Sequence, residues 1–260
     1  MRDLDLDIDR DTHLSDVVAV QRHGLQNDIS FQNRARWVST STGFQTWISS
    51  RESASLIVQG RSSFQRTSPL SFLVSLLCEN LQNQPGAVVL PFFCGRRSTI
   101  AGVSGPMAIA RAFFVQLLSL YQSSQSENTN ERRLMGFLEA QYVMRMEQDS
   151  LEAYITAISQ LTNELRRDSK AVFILVDGAD FFDSEWKDDM VEFILALEKV
   201  VRKARKRTRA GAVGGPVKVL LTASTRSRCF MVATKTSILL DVPEDVSGER
   251  NSFEKFLHMV

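Results

Sequence analysis

The sequence has few cysteines, no long apolar run and almost no net charge. Its three cysteines, Cys78, Cys94 and Cys229, lie far apart and form no CxxC pair, so we expect neither a disulfide framework nor a zinc site. No apolar run approaches the roughly 20 residues of a membrane span. The 31 Lys and Arg residues nearly balance the 30 Asp and Glu residues, which gives a formal net charge of +1. These absences favour a cytoplasmic protein without a membrane span, and they make nucleic acid an unlikely main partner.

The composition is that of a globular protein. Hydrophobic residues make up 43% and charged residues 23% of the 260 residues, which suits one large domain or two small ones. The chain begins MRDLDLDIDRD, which is too acidic for a secretory signal. We therefore expect a mobile acidic tail over residues 1–27, one domain over residues 28–243 and a C-terminal helical stub over residues 244–260.

Aromatic residues mark the segment before the first predicted strand. Trp37, Phe44 and Trp47 are spaced loosely, as on a helix. Side chains of this size are costly to expose together, because each buries a large apolar area when it is covered. We expect one or two short helices here that pack against the rest of the domain.

Five short apolar runs, separated by helical patterns, dominate the rest of the chain. They occupy residues 55–59, 87–93, 171–176, 217–222 and 237–242. Ser68 and Pro69 favour a helix that starts at Pro69, because Ser is a good cap and Pro fits the first helical position. Strands this apolar are typical of a parallel sheet covered by helices on both faces. The sequence therefore predicts an α/β fold, a three-layer αβα sandwich with a five-stranded parallel sheet.

A loop similar to a phosphate-binding loop follows the first strand. Such loops read G-x-x-x-x-G-K-[ST] between a strand and a helix, and residues 60–67 read GRSSFQRT. Gly60 matches the first glycine and Thr67 the final hydroxyl, whereas Gln65 replaces the second glycine and Arg66 replaces the lysine. Gly60, Gln65, Arg66 and Thr67 are thus the candidate residues for binding a nucleotide.

Two later strands also end in residues that suit nucleotide chemistry. The third strand ends in DGAD, with Asp177 directly after the apolar run and Asp180 three residues later. An acidic residue in Asp177's position commonly holds Mg²⁺, and a second carboxylate nearby can orient a water molecule. The fourth strand is followed by Arg226, where a guanidinium could touch a γ-phosphate. We therefore assign Asp177 as the candidate metal ligand, and Asp180 and Arg226 as the candidate catalytic residues.

Together these motifs resemble the NTPase core of the STAND class of P-loop proteins, in particular the NACHT-like modules of large fungal proteins. The similarity covers roughly residues 44–242 and includes Trp47 before the first strand, the run ending at Gly60, the acidic motif at Asp177 and the strand that leads to Arg226. The resemblance implies a sheet order of 5-1-4-3-2 and, in an active site, ATP or GTP with Mg²⁺.

Four departures from the family pattern indicate a damaged NTPase. Gln65 places a Cβ where the backbone must turn tightly, and Arg66 has a larger, planar group than the lysine it replaces. Because Pro69 disfavours helical geometry at Ser68, the helix is expected to begin after the loop rather than within it. Phe181 occupies the position of the family's usual glutamate.

Three functional hypotheses remain open from the sequence. The first is a degenerate, non-hydrolysing module that serves as a scaffold or signalling fragment and binds an unknown protein. The second is an active ATP- or GTP-binding switch with an unusual loop. The third is a protein- or nucleic-acid-binding module that uses the basic run 202–209, which could also act as a nuclear-import signal.

Overall fold

The three-dimensional structure is a computed structural model of the whole chain. It describes residues 12–61, 63–100, 102–124, 145–146, 148, 150–167, 170–232, 237–244 and 246. The first eleven residues of the expected acidic tail, and all but two residues of the expected C-terminal stub, lie outside the described residues.

Three helices precede the sheet in the ranges described above. They are α1 (Thr12–Gln26), α2 (Ile29–Thr40) and α3 (Thr42–Ser49). Asp28 caps α2 by accepting a hydrogen bond from the backbone N–H of Phe31, and Ser41 caps α3 in the same way.

The expectation of a mobile tail up to residue 27 is wrong for α1. This helix buries Val17 and Val20 against the apolar cluster on one face of the sheet. Asp16 also forms ion pairs with Arg96, at 2.9 Å, and with Arg97. The helix therefore belongs to the packed domain, because its inner face is apolar even though the residues before it are strongly acidic.

Among the residues that the structure describes, seven strands form one five-stranded sheet and one short hairpin. The strands are β1 (Ala54–Gln59), β2 (Ala87–Phe93), β3 (Thr99–Ile100), β4 (Val103–Ser104), β5 (Ala171–Asp177), β6 (Val217–Ala223) and β7 (Ile238–Asp241). The large sheet is entirely parallel and has the order β2-β5-β6-β1-β7. Its strands correspond to the five predicted runs, so this arrangement is the expected 5-1-4-3-2. The two short strands β3 and β4 pair with each other.

In the described part of the chain, four further helices complete a three-layer sandwich. They are α4 (Pro69–Gln82), α5 (Gly105–Ser124), α6 (Leu151–Arg167) and α7 (Lys187–Arg209), and two 3₁₀ turns cover Ala179–Phe182 and Cys229–Val232. Helices α1 to α4 cover one face of the sheet, and α5 to α7 cover the other. Both faces are buried, which explains why the strands are nearly continuous apolar runs. In the described part of the chain no helix is both long enough and apolar enough to cross a membrane.

The aromatic residues of the lead-in helices pack as predicted. Phe44 and Trp47 are fully buried, and Trp37 is partly buried against the same cluster. The indole N–H of Trp47 donates to the backbone oxygen of Ala54 at 3.1 Å, which joins α3 to the start of β1. The lead-in therefore fixes the position of the strand that carries the candidate phosphate loop.

Candidate functional site

The carboxyl ends of β1, β6 and β5 lie side by side at one edge of the sheet, where ligands of such folds bind. Three segments meet there. The phosphate-loop segment is residues 60–67, the acidic turn is residues 177–183, and the β6 loop is residues 224–229. The structure thus brings the predicted site residues to the same edge.

Asp177 ends β5 and is 2% exposed. Its Oδ1 accepts a hydrogen bond from the Thr222 hydroxyl at 2.6 Å, and Ser71 donates a further side-chain hydrogen bond. Burial raises the pKa of Asp177 to about 6. The two hydroxyl hydrogen bonds oppose that rise, and the neighbouring Asp180 adds to it. Asp177 is therefore a desolvated carboxyl group that two hydroxyls of the fold already hold.

Asp180 lies in the 3₁₀ turn after β5 and is 7% exposed. Its Oδ2 accepts three hydrogen bonds from the β6 loop: from the Ser224 hydroxyl at 2.6 Å, and from the Thr225 backbone N–H at 3.0 Å and hydroxyl at 3.1 Å. Its Oδ1 is buried and has no hydrogen-bond partner among the described residues. The Oδ2 atom of this carboxylate thus holds the β6 loop, whereas the Oδ1 atom binds none of the described residues.

Asp183, which the sequence analysis did not single out, also binds the β6 loop. It accepts hydrogen bonds from the Ser227 hydroxyl at 2.7 Å and from the backbone N–H groups of Arg228 at 3.1 Å and Cys229 at 3.4 Å. Hydrogen bonds to a charged acceptor are stronger than neutral ones. The acidic turn is therefore joined to the β6 loop through two carboxylates.

The phosphate-loop segment makes fewer polar contacts. Gly60 is buried, and its N–H donates to the Ala223 oxygen at 2.8 Å, which extends the pairing of β1 with β6. Gln65 and Arg66 are exposed, and Thr67 is half-buried. The Arg66 backbone lies against Gly95, where an added Cβ would come within 2.1 Å of the Arg66 oxygen. The side chains expected to hold phosphates therefore sit on a segment that packs through its backbone.

An aromatic contact joins the phosphate-loop segment to the acidic turn. The rings of Phe64 and Phe181 have centroids 4.4 Å apart and planes inclined at 46°, which makes a close, tilted contact. Phe64 is 55% exposed, whereas Phe181 is partly buried. Phe181, which occupies the position of the usual glutamate in the STAND class, thus contacts the phosphate-loop segment through its ring.

The first turn of α4 is capped by a side chain of the protein. Ser68 Oγ accepts hydrogen bonds from the backbone N–H groups of Leu70 and Ser71, both at 3.2 Å, and Ser71 Oγ accepts from the Ser68 N–H at 2.9 Å. This reciprocal arrangement is a capping box. It confirms that the helix begins at Pro69, two residues after Thr67.

A polar cleft of about 370 Å³ borders the phosphate-loop segment. Arg61, Ser63 and Gln65 line it from the loop. Asp28, which caps α2, and Arg34 of α2 also line it. Neither candidate aspartate belongs to its wall. The cleft therefore opens towards α2 rather than towards the acidic turn.

Arg226 is exposed in the β6 loop, and the described residues give it no hydrogen bond or ion pair. The basic run 202–209 forms the end of α7. Arg205 donates to the Ser53 oxygen at 2.8 Å, and Arg209 pairs with Glu52 at 2.9 Å. The run is therefore partly used in holding α7 to the segment before β1.

The cysteines behave as buried apolar residues. All three are free and buried. Burial, followed by the nearby charges of Asp177 and Asp180, raises the pKa of the Cys94 thiol well above its usual range. No group of three or more His, Cys, Asp and Glu side chains in the described ranges is arranged to hold a metal ion.

Three contributors to this edge were missed from the sequence. Ser71, Thr222 and Asp183 all hold neighbouring segments in place. A signal existed for Ser71, because hydroxyl residues three positions apart across a helix start are typical of a capping box. For Thr222 the signal was its place as the last polar residue of an apolar strand. No local pattern predicted that Asp183 would reach a loop more than 40 residues away.

Comparisons with known proteins identify the family. A family model described as Nephrocystin 3, N-terminal matches residues 33–223, and no match was found among the curated proteins. One similar solved structure is the Aeropyrum pernix Orc1 protein in complex with DNA, with 9% identity and a TM-score of 0.39 over 88% of this chain and 47% of that chain. Another is the E. coli MS115-1 HORMA:CdnC:Trip13 complex, with 11% identity and a TM-score of 0.34 over 97% of this chain and 71% of that chain.

The chain spans about half the length of the Orc1 chain that it matches. The family match is more extensive, since it runs from α2 to the end of β6 and includes the phosphate-loop segment and the acidic turn. Because this match covers well over half of the chain, the protein is a P-loop NTPase-like module and belongs to the family described as Nephrocystin 3, N-terminal.

Proposed function

We propose that this chain is a degenerate, NACHT/STAND-like P-loop module that does not hydrolyse nucleotide and serves as a scaffold or signalling fragment for another protein. The observation that carries the proposal is the start of α4. A phosphate-binding loop uses the free N–H groups and the dipole at a helix N-terminus. Here the Ser68 hydroxyl accepts from the N–H groups of Leu70 and Ser71.

The hydroxyls near Asp177 support the same proposal. In P-loop NTPases the loop's final Ser or Thr and the acidic residue after the apolar strand hold Mg²⁺ together. In this chain the helical hydroxyl bound to Asp177 belongs to Ser71, one helical turn beyond Thr67. With Asp177 2% exposed and held by two hydroxyls, the described donor set does not fit a bound Mg²⁺ in this conformation.

The aromatic pair gives a third line of support. Phe64 and Phe181 meet between the phosphate-loop segment and the acidic turn. In the family pattern, polar groups of both segments face the γ-phosphate. An apolar contact at this position stabilises the two segments without a nucleotide and supplies no hydrogen bond to one.

An ATP- or GTP-binding switch is the second candidate, and one observation favours it. The buried Oδ1 of Asp180 has no hydrogen-bond partner among the described residues. Such a group costs free energy unless a partner satisfies it, and a water molecule or a metal ion beside a nucleotide would do so. Under this hypothesis Asp177 holds Mg²⁺ with the nucleotide, and Asp180 and Arg226 act on the γ-phosphate.

Repair of the loop distinguishes the two candidates. The test measures by calorimetry the heat of titrating two proteins with ATP and Mg²⁺. One is the unmodified protein, and the other is a variant that carries Gln65→Gly, Arg66→Lys and Pro69→Ala. These changes free the backbone turn, restore the compact charge and allow the helix to start earlier. We expect no binding heat from the unmodified protein and a measurable affinity from the triple variant.

Two controls make the repair specific. A variant carrying Gln65→Ala, Arg66→Gln and Pro69→Ala changes the same positions without restoring a phosphate loop, and it should give no binding heat. Asp177→Asn in the repaired protein should weaken the Mg²⁺-dependent part of the new affinity. Micromolar binding of ATP by the unmodified protein would refute the scaffold proposal and favour the switch.

A further inference from the structure

A second polar site lies at the opposite edge of the sheet, where the amino ends of β5 and β6 meet. The last turns of α6 and α7 and the loop after α7 enclose a cavity of about 240 Å³. Its walls consist of Asn163, Arg166, Arg167, Arg207, Ala212 and Val213. We call it the arginine cavity. It shares no residue with the candidate nucleotide site.

Arg166 is the buried member of this cavity. It is only 4% exposed, and its guanidinium donates to the Gly215 oxygen at 2.5 Å, the Asn163 Oδ1 at 3.5 Å and the Thr208 hydroxyl at 3.3 Å. All three acceptors are neutral. A buried cation is costly unless an anion pairs with it, and the described residues provide Arg166 with no carboxylate partner.

Arg207 increases the positive charge of the cavity. Both Arg166 and Arg207 line it. Burial lowers the pKa of Arg166, and the charge of Arg207 lowers it further. Arg167 also lines the cavity, and it pairs with Glu164 at 2.5 Å. Arg205 and Arg209 of the same helix point elsewhere, to Ser53 and Glu52. Within the described residues, therefore, Arg166 and Arg207 face one hollow without a balancing anion.

Helix capping does not account for this convergence. Arginines at a helix C-terminus often interact with the last carbonyl groups. Here backbone N–H groups already bind those carbonyls: Gly215 binds the Arg166 oxygen at 3.1 Å, and Ala212 binds the Arg207 oxygen at 3.0 Å. The helix ends therefore do not need the guanidinium groups, and Arg166 keeps two of its five N–H groups beyond the three hydrogen bonds given above.

We propose that the arginine cavity binds a phosphate monoester or inorganic phosphate. The planar guanidinium fork matches the oxygens of a tetrahedral oxyanion, and bonds between two charged groups are the strong class of hydrogen bond. One phosphate group bridging Arg166 and Arg207 would neutralise both cations. The phosphate can belong to a small compound or to a phosphorylated side chain of a partner protein, since the recognising chemistry is the same.

Titration with inorganic phosphate tests the proposal on the full chain. Binding is followed by NMR shifts of arginine side chains and by the rise in melting temperature, at constant ionic strength. We expect saturable binding that Arg207→Gln weakens at least tenfold. Arg202→Gln is the matched control, because Arg202 is exposed on the same helix and the change removes the same charge. It should alter the affinity less than twofold.

Two results would overturn the proposal. One is an equal loss of affinity in Arg207→Gln and Arg202→Gln, which would indicate unspecific attraction to a basic surface. The other is saturable binding that appears only in Asp168→Asn, because Asp168 follows Arg167 directly in the sequence and would then be the internal partner of the arginines. Saturable binding by the unmodified chain supports the proposal.

A second arm identifies the source of the phosphate. The unmodified chain is titrated with phosphoserine, with a peptide that contains phosphoserine, and with the same peptide without phosphate. Similar affinities for phosphoserine and the phosphopeptide indicate a small compound, whereas at least tenfold tighter binding of the phosphopeptide indicates a partner protein. Equal binding of the phosphorylated and unphosphorylated peptides would contradict recognition of phosphate.

Discussion

The acidic turn and the phosphate-loop segment face each other at one edge of the sheet, but they are built in different ways. The carboxylates of Asp177, Asp180 and Asp183 all accept hydrogen bonds from distant segments. The exposed side chains of Gln65 and Arg66 make no hydrogen bond to a distant segment among the described residues. The Gln65 side chain donates one long hydrogen bond, of 3.4 Å, to the nearby Ser63 hydroxyl. Asp177 and Asp180, which also stabilise the fold, match the pattern of the STAND class that the sequence resembles, whereas the exposed Gln65 and Arg66 depart from it.

This difference has a physical cause. Removing a buried carboxylate leaves its donors without partners, which costs the full desolvation penalty of those groups. Changing an exposed loop side chain usually costs little. A module that no longer binds nucleotide can therefore lose its phosphate loop without unfolding, but it cannot lose its acidic turn.

The largest expected effect is a difference in the free energy of unfolding between variants of the acidic turn and variants of the phosphate-loop segment. Asp180→Ala removes the acceptor of three hydrogen bonds from the β6 loop, and we expect it to lower the free energy of unfolding by about 3 kcal/mol. Arg66→Ala in the phosphate-loop segment should change it by less than about 0.5 kcal/mol. Urea unfolding measures both, and Glu185→Ala is an exposed control two residues after the acidic turn. Similar losses in Asp180→Ala and Glu185→Ala would contradict the comparison.

The second prediction concerns pH. Because the pKa of Asp177 is raised to about 6 in the folded protein, the folded state holds this proton more tightly than the unfolded state. The resulting contribution to stability is present below about pH 4 and is lost as the pH rises to about 6. Relative to the unmodified protein, Asp177→Asn should therefore gain about 2 to 3 kcal/mol in free energy of unfolding between pH 4 and pH 7.

Urea unfolding at the two pH values checks this prediction, and the difference between variants cancels the titration of other groups. Glu185→Gln should show no such gain, since Glu185 is exposed. A stability of Asp177→Asn that falls relative to the parent as the pH rises would mean that ionised Asp177 stabilises the fold. That outcome would fit a carboxylate kept charged for a metal ion rather than one buried by the fold.

The smallest expected effect tests the aromatic contact between the two regions. A double-mutant cycle with Phe64→Leu and Phe181→Leu should give a coupling energy of about 0.5 to 1 kcal/mol, which is typical of an aromatic pair. Limited proteolysis should cleave the phosphate-loop segment faster in either single variant, because the loop loses its contact with the acidic turn. A coupling energy near zero would show that the rings touch without holding the loop.

Much of the fold followed from local patterns in the sequence. The apolar runs gave all five strands of the large sheet, and the pair Ser68-Pro69 gave the start of α4, because capping and proline geometry act within a few residues. The strand order came from the resemblance rather than from any periodicity. Helix α1 was missed because the acidic residues before it obscured its apolar face, which Val17 and Val20 form.

The site was less predictable, since its contacts join residues far apart in the chain. Sequence alone placed Asp177 and Asp180 at the correct edge, but it could not show that Thr222 and Ser224 would satisfy them. It assigned the loop hydroxyl to Thr67, whereas the helical hydroxyl that binds Asp177 belongs to Ser71. The contact between Phe64 and Phe181 depends on how two loops fold back on each other, and neither loop carries a local signal of it.

The most direct test of the central claim is a calorimetric titration of the unmodified protein with ATP in the presence of Mg²⁺. The capped start of α4 and the desolvated Asp177 lead us to expect no binding heat up to millimolar ATP, and no protection of residues 60–67 from proteolysis. A micromolar dissociation constant, abolished by Asp177→Asn or by removal of Mg²⁺, would contradict this account and would make the protein a nucleotide-binding switch.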